Sequence, residues 1–146
     1  MNSVLQFSSP VALSNAPLLA QLFIERVRAG FPSPAEDLGA QRIDLTKVLI
    51  THPQATYLLR ARGHSMVEAG ILDGDILVVN RALVARHNHI VVAIVDGDFT
   101  VKRLFLVAGR IKLRAANRTF PDIMPKEGQL LEVWGVVTAS VTQFPA

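Results

Sequence analysis

Residues 90–105, with the sequence IVVAIVDGDFTVKRLF, decide the class of fold. The pair Asp96-Gly97 separates two apolar runs, residues 90–95 and 99–105. An Asp-Gly pair in this setting is a strong signal for a tight β-hairpin, because both turn residues need a positive φ. The stretch therefore predicts two antiparallel strands joined by a short turn.

Similar short runs, rich in β-branched and apolar residues, occur on both sides of this hairpin and begin after Pro53. Turn-forming residues such as Asn88 and Gly109 separate them, and no long helix is predicted after residue 55. Several short strands at this spacing favour a compact antiparallel sheet or barrel. The predicted strands are residues 57–61, 76–79, 90–95, 99–105, 111–114 and 131–141.

The N-terminal region differs in character. Residues 1–16 lack a clear hydrophobic period, and we expect them to be flexible. Apolar side chains at helical spacing predict an amphipathic helix at residues 17–29, which ends at Gly30. A second short helix is predicted at residues 45–50, with Asp44 as its N-cap.

The composition limits the classes of function. A length of 146 residues is typical of one domain, and a hydrophobic fraction of 50% excludes disorder for the bulk of the chain. The sequence contains no cysteine, which excludes a disulfide scaffold, a cysteine nucleophile and thiolate metal sites. The net charge of +3 is small and scattered, so composition alone gives a poor case for nucleic-acid binding.

The first charged residue is Glu25, and an uncharged start of this length can indicate a signal peptide or a membrane span. A signal peptide needs a basic residue before its apolar region, and the first basic residue here is Arg26. Ser, Asn, Gln and Pro interrupt the apolar residues, which disfavours a span. We therefore expect no membrane segment.

Three short motifs stand in order along the chain. Gly-His-Ser-Met occupies residues 63–66, Asp-Gly-Asp occupies residues 73–75, and Thr-Val-Lys-Arg occupies residues 100–103. Lys102 follows Ser65 by 37 residues. Each motif alone is weak evidence, because a serine in a loop and a lysine in a strand are common structural residues.

Taken together, these motifs resemble the LexA/UmuD family of self-cleaving SOS-response proteins. The similarity runs from about residue 29 to residue 141 and is greatest to the UmuD branch, through residues 30–35 and 41–45. It implies a mainly β fold: a LexA-like antiparallel sheet or barrel at residues 31–146 for catalysis and dimerisation. A mobile, cleavable N-terminal arm with a short helix, residues 1–30, would precede it.

The resemblance also implies a Ser–Lys dyad, with Ser65 as nucleophile and Lys102 as general base. A serine hydroxyl needs a base, and a lysine can act as one only when its pKa falls through desolvation. Strand alternation places one of Lys102 and Arg103 inward without saying which, and the family pattern selects Lys102. Gly63 would admit the substrate backbone, and the N–H of Ser65, with Met66 as a neighbour, would bind the oxyanion.

The family pattern places the cut between Ala29 and Gly30. This pair lies before Phe31-Pro32-Ser33-Pro34, which we expect to be extended because proline fixes φ and restricts the residue before it. Two other Ala-Gly pairs, at residues 69–70 and 108–109, lie within or beside predicted sheet, and we expect them to be inaccessible.

The resemblance implies partners but no cofactor and no metal. The expected partners are a second copy of the chain, a RecA filament on single-stranded DNA that stimulates cleavage, and a UmuC-type error-prone polymerase that the trimmed form would serve in translesion synthesis. Direct sequence-specific DNA binding is not expected. The alternative functions are a non-cleaving binding module that keeps the fold, and a regulatory domain related to the repressors.

Two histidine patterns have competing interpretations. His64 stands beside Ser65, but adjacent residues of an extended chain point to opposite sides, so a Ser–His pair is disfavoured. His87 and His89 have a spacing that can hold a metal, but no third ligand is evident nearby in the sequence. A solvent-exposed hairpin is the favoured interpretation of this second pattern.

Overall fold

The described part of the chain is mostly β-structure. The computed structural model describes residues 19–23, 40–126 and 129–146. Two units are distinguished, and their described parts are residues 19–23 with 40–51, and residues 52–126 with 129–146. The strands are β1 (Leu19–Phe23), β2 (Ala40–Asp44), β3 (Thr56–Arg60), β4 (Ile76–Asn80), β5 (Ile90–Val95), β6 (Asp98–Val107), β7 (Arg110–Arg114) and β8 (Leu131–Val141). The helices are α1 (Leu45–Leu49) and two 3₁₀ turns, Pro53–Ala55 and Val67–Ala69.

The smaller unit corrects one prediction. β1 pairs antiparallel with β2, so the helix predicted at residues 17–29 is wrong at residues 19–23. The backbone of β1 bonds to another segment of the chain, and such pairing can override the helical spacing of apolar side chains. The second predicted helix is confirmed as α1, because the Asp44 carboxylate accepts a hydrogen bond from the Thr46 N–H at 3.0 Å.

Several predictions fall outside the described residues. These are the flexible tail at residues 1–16, the remainder of the predicted helix at residues 17–29, the extended linker at residues 31–34, and the cleavage pair Ala29 and Gly30. The boundary between an arm at residues 1–30 and a domain at residues 31–146 also stays a prediction.

The hairpin that decides the fold class is confirmed in the larger unit. β5 and β6 pair antiparallel, with Val95 opposite Asp98. The two turn residues, Asp96 and Gly97, have φ values of 48° and 88°. Two positive φ values in a two-residue loop match the twist of the flanking strands, which is why Asp-Gly is favoured here.

Six strands form the sheet of the larger unit, in the order β3-β4-β8-β5-β6-β7. The C-terminal strand β8 lies between β4 and β5 and pairs antiparallel with both. Gly135 allows this close packing, because a Cβ at that position would lie 2.7 Å from Val79 Cγ1. The prediction of a mainly β fold with an antiparallel sheet is confirmed.

The two faces of the central strands bury different apolar clusters. Val92 and its cross-strand neighbour Val101 belong to a cluster that includes Trp134 and Met66. Val91 belongs to a second cluster with Ala93, Leu104 and Leu113. Cross-strand neighbours share a face, so Lys102, which lies opposite Val91, projects from the face of the second cluster.

The helices of the described segments are short. None of the helices in these segments has the length and apolar character that a membrane span needs.

Candidate active site

Ser65 lies in the loop that follows β3, and the loop has a defined hydrogen-bonded shape. Gly63 has a φ of 94°, a conformation that glycine adopts without steric cost. Its N–H donates to Asp73 Oδ1 at 2.7 Å. The side chain of Ser65 that follows is buried, whereas that of His64 is exposed. The loop therefore turns Ser65 inward and His64 outward.

The Asp-Gly-Asp turn supports this loop. The Asp75 side chain is 2% exposed and accepts hydrogen bonds from the Leu72 N–H at 2.8 Å and the Thr142 hydroxyl at 2.7 Å. Ala61 bonds to two residues of the turn, because its N–H donates to the Asp75 carbonyl and its carbonyl accepts from the Gly74 N–H, each at 2.8 Å. The carboxylates of Asp73 and Asp75 both serve structure here.

Lys102 has no exposed surface and lies at the middle of β6. Its Nζ lies within hydrogen-bonding distance of three acceptors: Ser65 Oγ at 3.1 Å, Thr100 Oγ1 at 2.8 Å and the Val101 carbonyl at 3.0 Å. The neighbouring Arg103 is partly exposed and donates to the Asn88 carbonyl at 2.9 Å. Of the two adjacent bases that alternation left open, Lys102 is the inward one.

Burial lowers the pKa of Lys102 from 10.5 to about 8, because desolvation disfavours the ammonium form. The ammonium has three N–H donors, and the three neighbouring oxygens match them. On loss of one proton, the amine keeps two donors and gains a lone pair. The Ser65 hydroxyl can then donate to Nζ across the same 3.1 Å separation. The geometry thus suits both protonation states.

A second segment of chain, residues 115–119, holds the serine loop from another side. Asn117 Nδ2 donates to the His64 carbonyl at 2.9 Å. The Glu68 N–H donates to the Ala116 carbonyl at 2.8 Å, and the Ala116 N–H points to Met66 Sδ at 3.4 Å. Met66, predicted beside the oxyanion site, has a side chain with no exposed surface.

Sequence reasoning missed three residues around the candidate dyad. Thr100 contacts Lys102 Nζ, Asp73 bonds to Gly63, and Asn117 bonds to His64. Strand alternation placed Thr100 on the face of Lys102, and that was the available signal for its contact. The bonds of Asp73 and Asn117 span 10 and 53 residues, and no local pattern reveals them.

The structure bears on only one of the predicted backbone roles, that of Gly63. The N–H of Gly63 is engaged by Asp73, so any contribution of Gly63 to an oxyanion site comes from its conformation. The roles of the Ser65 and Met66 N–H groups stay predictions. So do the catalytic roles of Ser65 and Lys102, although the structure brings their side chains together.

The side chains of His87 and His89 form hydrogen bonds with backbone N–H groups. His87 Nδ1 accepts a hydrogen bond from the Leu106 N–H, and His89 Nδ1 accepts one from the Arg86 N–H, both at 3.0 Å. The His87 ring also packs edge-on against Phe105, with ring centroids 5.1 Å apart. Asn88 between them has a φ of 73°, which fits the predicted turn.

The two remaining Ala-Gly pairs are folded into turns. Ala69 ends the 3₁₀ turn Val67–Ala69, and Gly70 caps it with a φ of 89°. Ala108 and Gly109, with φ values of 52° and 75°, form the tight turn between β6 and β7. A protease needs an extended backbone, so neither pair has the conformation of a substrate.

Comparison with known proteins gives matches over most of the chain. The model of the family described as Peptidase S24-like matches residues 21–138. The protein ImpA of Salmonella typhimurium is 54% identical over 117 residues, which cover 80% of this chain and 79% of ImpA. The protein MucA of Salmonella typhimurium is 44% identical over 124 residues, or 84% of each chain.

A repressor also matches. The LexA repressor of Paracidovorax citrulli is 37% identical over 139 residues, which cover 93% of this chain and 59% of the repressor. The resemblance to the LexA/UmuD family is thereby confirmed. With a family match across most of its length and relatives of this similarity, the chain belongs to the Peptidase S24-like family.

Proposed function

We propose that the protein is a self-cleaving serine protease that cuts its own Ala29–Gly30 bond. Ser65 is the nucleophile and Lys102 is the general base. The observation that carries this proposal is the buried contact of 3.1 Å between Lys102 Nζ and Ser65 Oγ. A lysine placed in this way, with its pKa lowered to about 8, is neutral often enough near physiological pH to accept a proton.

The chemistry follows the acyl-enzyme route. Neutral Lys102 takes the hydroxyl proton as Ser65 Oγ attacks the carbonyl carbon of Ala29. The negative charge that develops on the carbonyl oxygen is stabilised by the Ser65 N–H, with the Met66 N–H as a neighbour. Collapse of the tetrahedral intermediate breaks the C–N bond, and the Lys102 ammonium returns the proton to the departing amine of Gly30. A water molecule, deprotonated by Lys102, then hydrolyses the ester on Ser65.

The proposed substrate is a segment of the same chain. Its covalent attachment gives the scissile bond a high effective concentration at Ser65. Proline at positions 32 and 34 favours the extended backbone that a protease binds, and small residues on both sides of the bond fit a narrow site. The other two Ala-Gly pairs are held in turns, which supports the choice of Ala29–Gly30.

Family membership also supports a proposal for the wider role. A RecA filament on single-stranded DNA would stimulate the cut in the cytoplasm. The trimmed protein, as a homodimer, would then act as accessory subunit of an error-prone UmuC-type polymerase in translesion synthesis. The similarity to MucA and ImpA supports this role. Cleavage would switch the protein to its trimmed form by removing the constraint that the N-terminal arm imposes and by exposing new surface.

The first prediction concerns the two side chains of the dyad. Purified wild-type protein at pH 9, or with RecA filament at pH 7.5, should yield one new fragment that begins at Gly30, identified by mass spectrometry. Ser65→Ala and Lys102→Ala should yield none, because the first lacks the nucleophile and the second lacks the base. Lys112→Ala, which changes a partly exposed lysine on β7, is the matched control and should cleave normally.

Two results would contradict the proposal. A fragment that begins at Gly30 from the Ser65→Ala protein would exclude Ser65 as the nucleophile. Wild-type protein that stays intact under both conditions would instead favour a non-cleaving binding module with this fold.

A further inference from the structure

Asn117 has a side-chain amide of defined orientation. Its Oδ1 accepts hydrogen bonds from the Thr119 N–H at 3.1 Å and the Thr119 hydroxyl at 2.9 Å. The Thr119 N–H can only donate, so it requires an acceptor at that end of the amide, and the NH₂ group lies at the other end. There it donates to the His64 carbonyl at 2.9 Å.

The His64 carbonyl shares a peptide unit with the Ser65 N–H. A peptide unit is planar, and in its trans form the C=O and N–H bonds point in opposite directions. The chain has no cis bonds among the described residues. The His64 oxygen accepts the Val67 N–H at 3.3 Å and, at the shorter distance of 2.9 Å, the Asn117 amide. The donors that hold this oxygen therefore also set the direction of the Ser65 N–H. They further polarise the peptide, which makes that N–H a stronger donor.

We propose that Asn117 is a positioning residue for the oxyanion site, acting through the His64–Ser65 peptide. The inference rests on the proposed protease function, in which the Ser65 N–H stabilises the oxyanion. Among the described residues, the Asn117 side chain forms no hydrogen bond with Lys102 Nζ or with the Ser65 hydroxyl. Its effect is thus confined to the donor and leaves the base unchanged.

The loop has further attachments that do not depend on the Asn117 side chain. The Gly63 N–H is held by Asp73 at 2.7 Å. Residues 115–119 are docked by the bond from the Glu68 N–H to the Ala116 carbonyl, and the Arg118 N–H donates to Glu68 Oε2 at 3.3 Å. A substitution of Asn117 should therefore disturb the orientation of one peptide while the fold persists.

The test compares the rate of self-cleavage in Asn117→Asp, Asn117→Ala and wild-type protein between pH 6 and pH 10. Direct loss of one oxyanion donor costs about 100- to 1,000-fold in rate. A positioning residue should cost less, so we expect the rate at high pH to fall roughly 10- to 100-fold in both variants. Asn117→Asp keeps the shape but presents an acceptor to the His64 oxygen, so it should be no faster than Asn117→Ala.

The pH at half-maximal rate gives a readout that separates the donor from the base. It should stay at the wild-type value in Asn117→Ala, because that substitution adds no charge near Lys102, whereas the new carboxylate of Asn117→Asp should raise it. Arg118→Ala is the matched control, since it keeps the backbone bond to Glu68 and should cleave at the wild-type rate. Melting temperatures of all variants report whether they fold.

The inference is overturned if folded Asn117→Asp cleaves as fast as wild type, or if Asn117→Ala loses rate through a shifted midpoint. If the Asn117 variants do not fold, Thr119→Ala decides. That variant removes one of the two bonds that orient the amide and keeps the bond from the residue 119 N–H. It should slow cleavage measurably, and a wild-type rate would overturn the inference. Failure of the proposed function looks different, because wild-type protein would then stay intact or Ser65→Ala would cleave.

Discussion

At the scale of single residues, the central feature is a lysine that is buried among oxygen acceptors and apolar side chains. Its pKa falls to about 8 because burial disfavours charge. Thr100 Oγ1 and the Val101 carbonyl each accept one N–H, at 2.8 and 3.0 Å. In the neutral amine these two bonds use both hydrogens, so the lone pair is left for Ser65.

Thr100 therefore orients the lone pair of Lys102, the proposed base, toward Ser65. The substitution Thr100→Val tests this role. The threonine is 5% exposed, so valine should fit with little change in packing. The maximal rate of self-cleavage should fall by about tenfold, a part of the 100- to 10,000-fold that general base catalysis typically contributes. The midpoint of the pH–rate profile should move below that of wild type, because an acceptor that stabilises the ammonium is lost.

The control for this substitution is Thr138→Val in β8, whose hydroxyl lies 3.4 Å from the Val78 carbonyl. It removes a hydroxyl from the same sheet without changing the surroundings of Lys102. A Thr100→Val protein with the maximal rate and midpoint of the control would refute the orienting role.

At the scale of elements, strands with local turn signals were predicted well. β5 and β8 have the predicted bounds, and β6 is extended by one residue at its start and two at its end. The position of β8 between β4 and β5 was not predictable, because it depends on pairing between distant segments. The strand β1 was missed for the same reason, since its pairing with β2 overrides its helical spacing.

The candidate site shows the same division. Family resemblance identified Ser65 and Lys102, and alternation alone left Lys102 and Arg103 undecided. The structure adds the exposure of each side chain, which depends on what packs against β6. The bond from Asn117 to His64 joins loops 53 residues apart, and a single sequence carries no pattern for it.

Gly97, in the turn between β5 and β6, and Gly135, in β8, differ in the space available for an added methyl group. In Gly97→Ala the added methyl group meets no atom within 4 Å, so the cost comes from the positive φ and should be about 1 kcal/mol of unfolding free energy. In Gly135→Ala the methyl group would lie 2.7 Å from Val79 Cγ1, a buried side chain. The cost there should be about 3 kcal/mol, because the core must shift.

Urea unfolding of the two variants and wild-type protein at one pH measures both costs. If Gly97→Ala were destabilised as much as Gly135→Ala, the different roles of the two glycines would be refuted.

At the scale of the whole larger unit, the sheet order explains why the two side chains need the complete fold to meet. Ser65 follows β3 at one edge of the sheet, while Lys102 lies on β6, next to the strand at the other edge. The loop after β3 must reach across to β6, supported by the Asp-Gly-Asp turn and by residues 115–119. The two side chains of the proposed dyad are therefore joined by tertiary structure.

The pH dependence of self-cleavage tests the central claim, that neutral Lys102 activates Ser65. With a pKa of about 8, about a tenth of Lys102 is neutral at pH 7. The rate of appearance of the fragment that begins at Gly30 should therefore rise about tenfold per pH unit below pH 8 and level off above it. A rate independent of pH between 6 and 9, or one that still rises at pH 10 as for an ordinary lysine, would contradict the account.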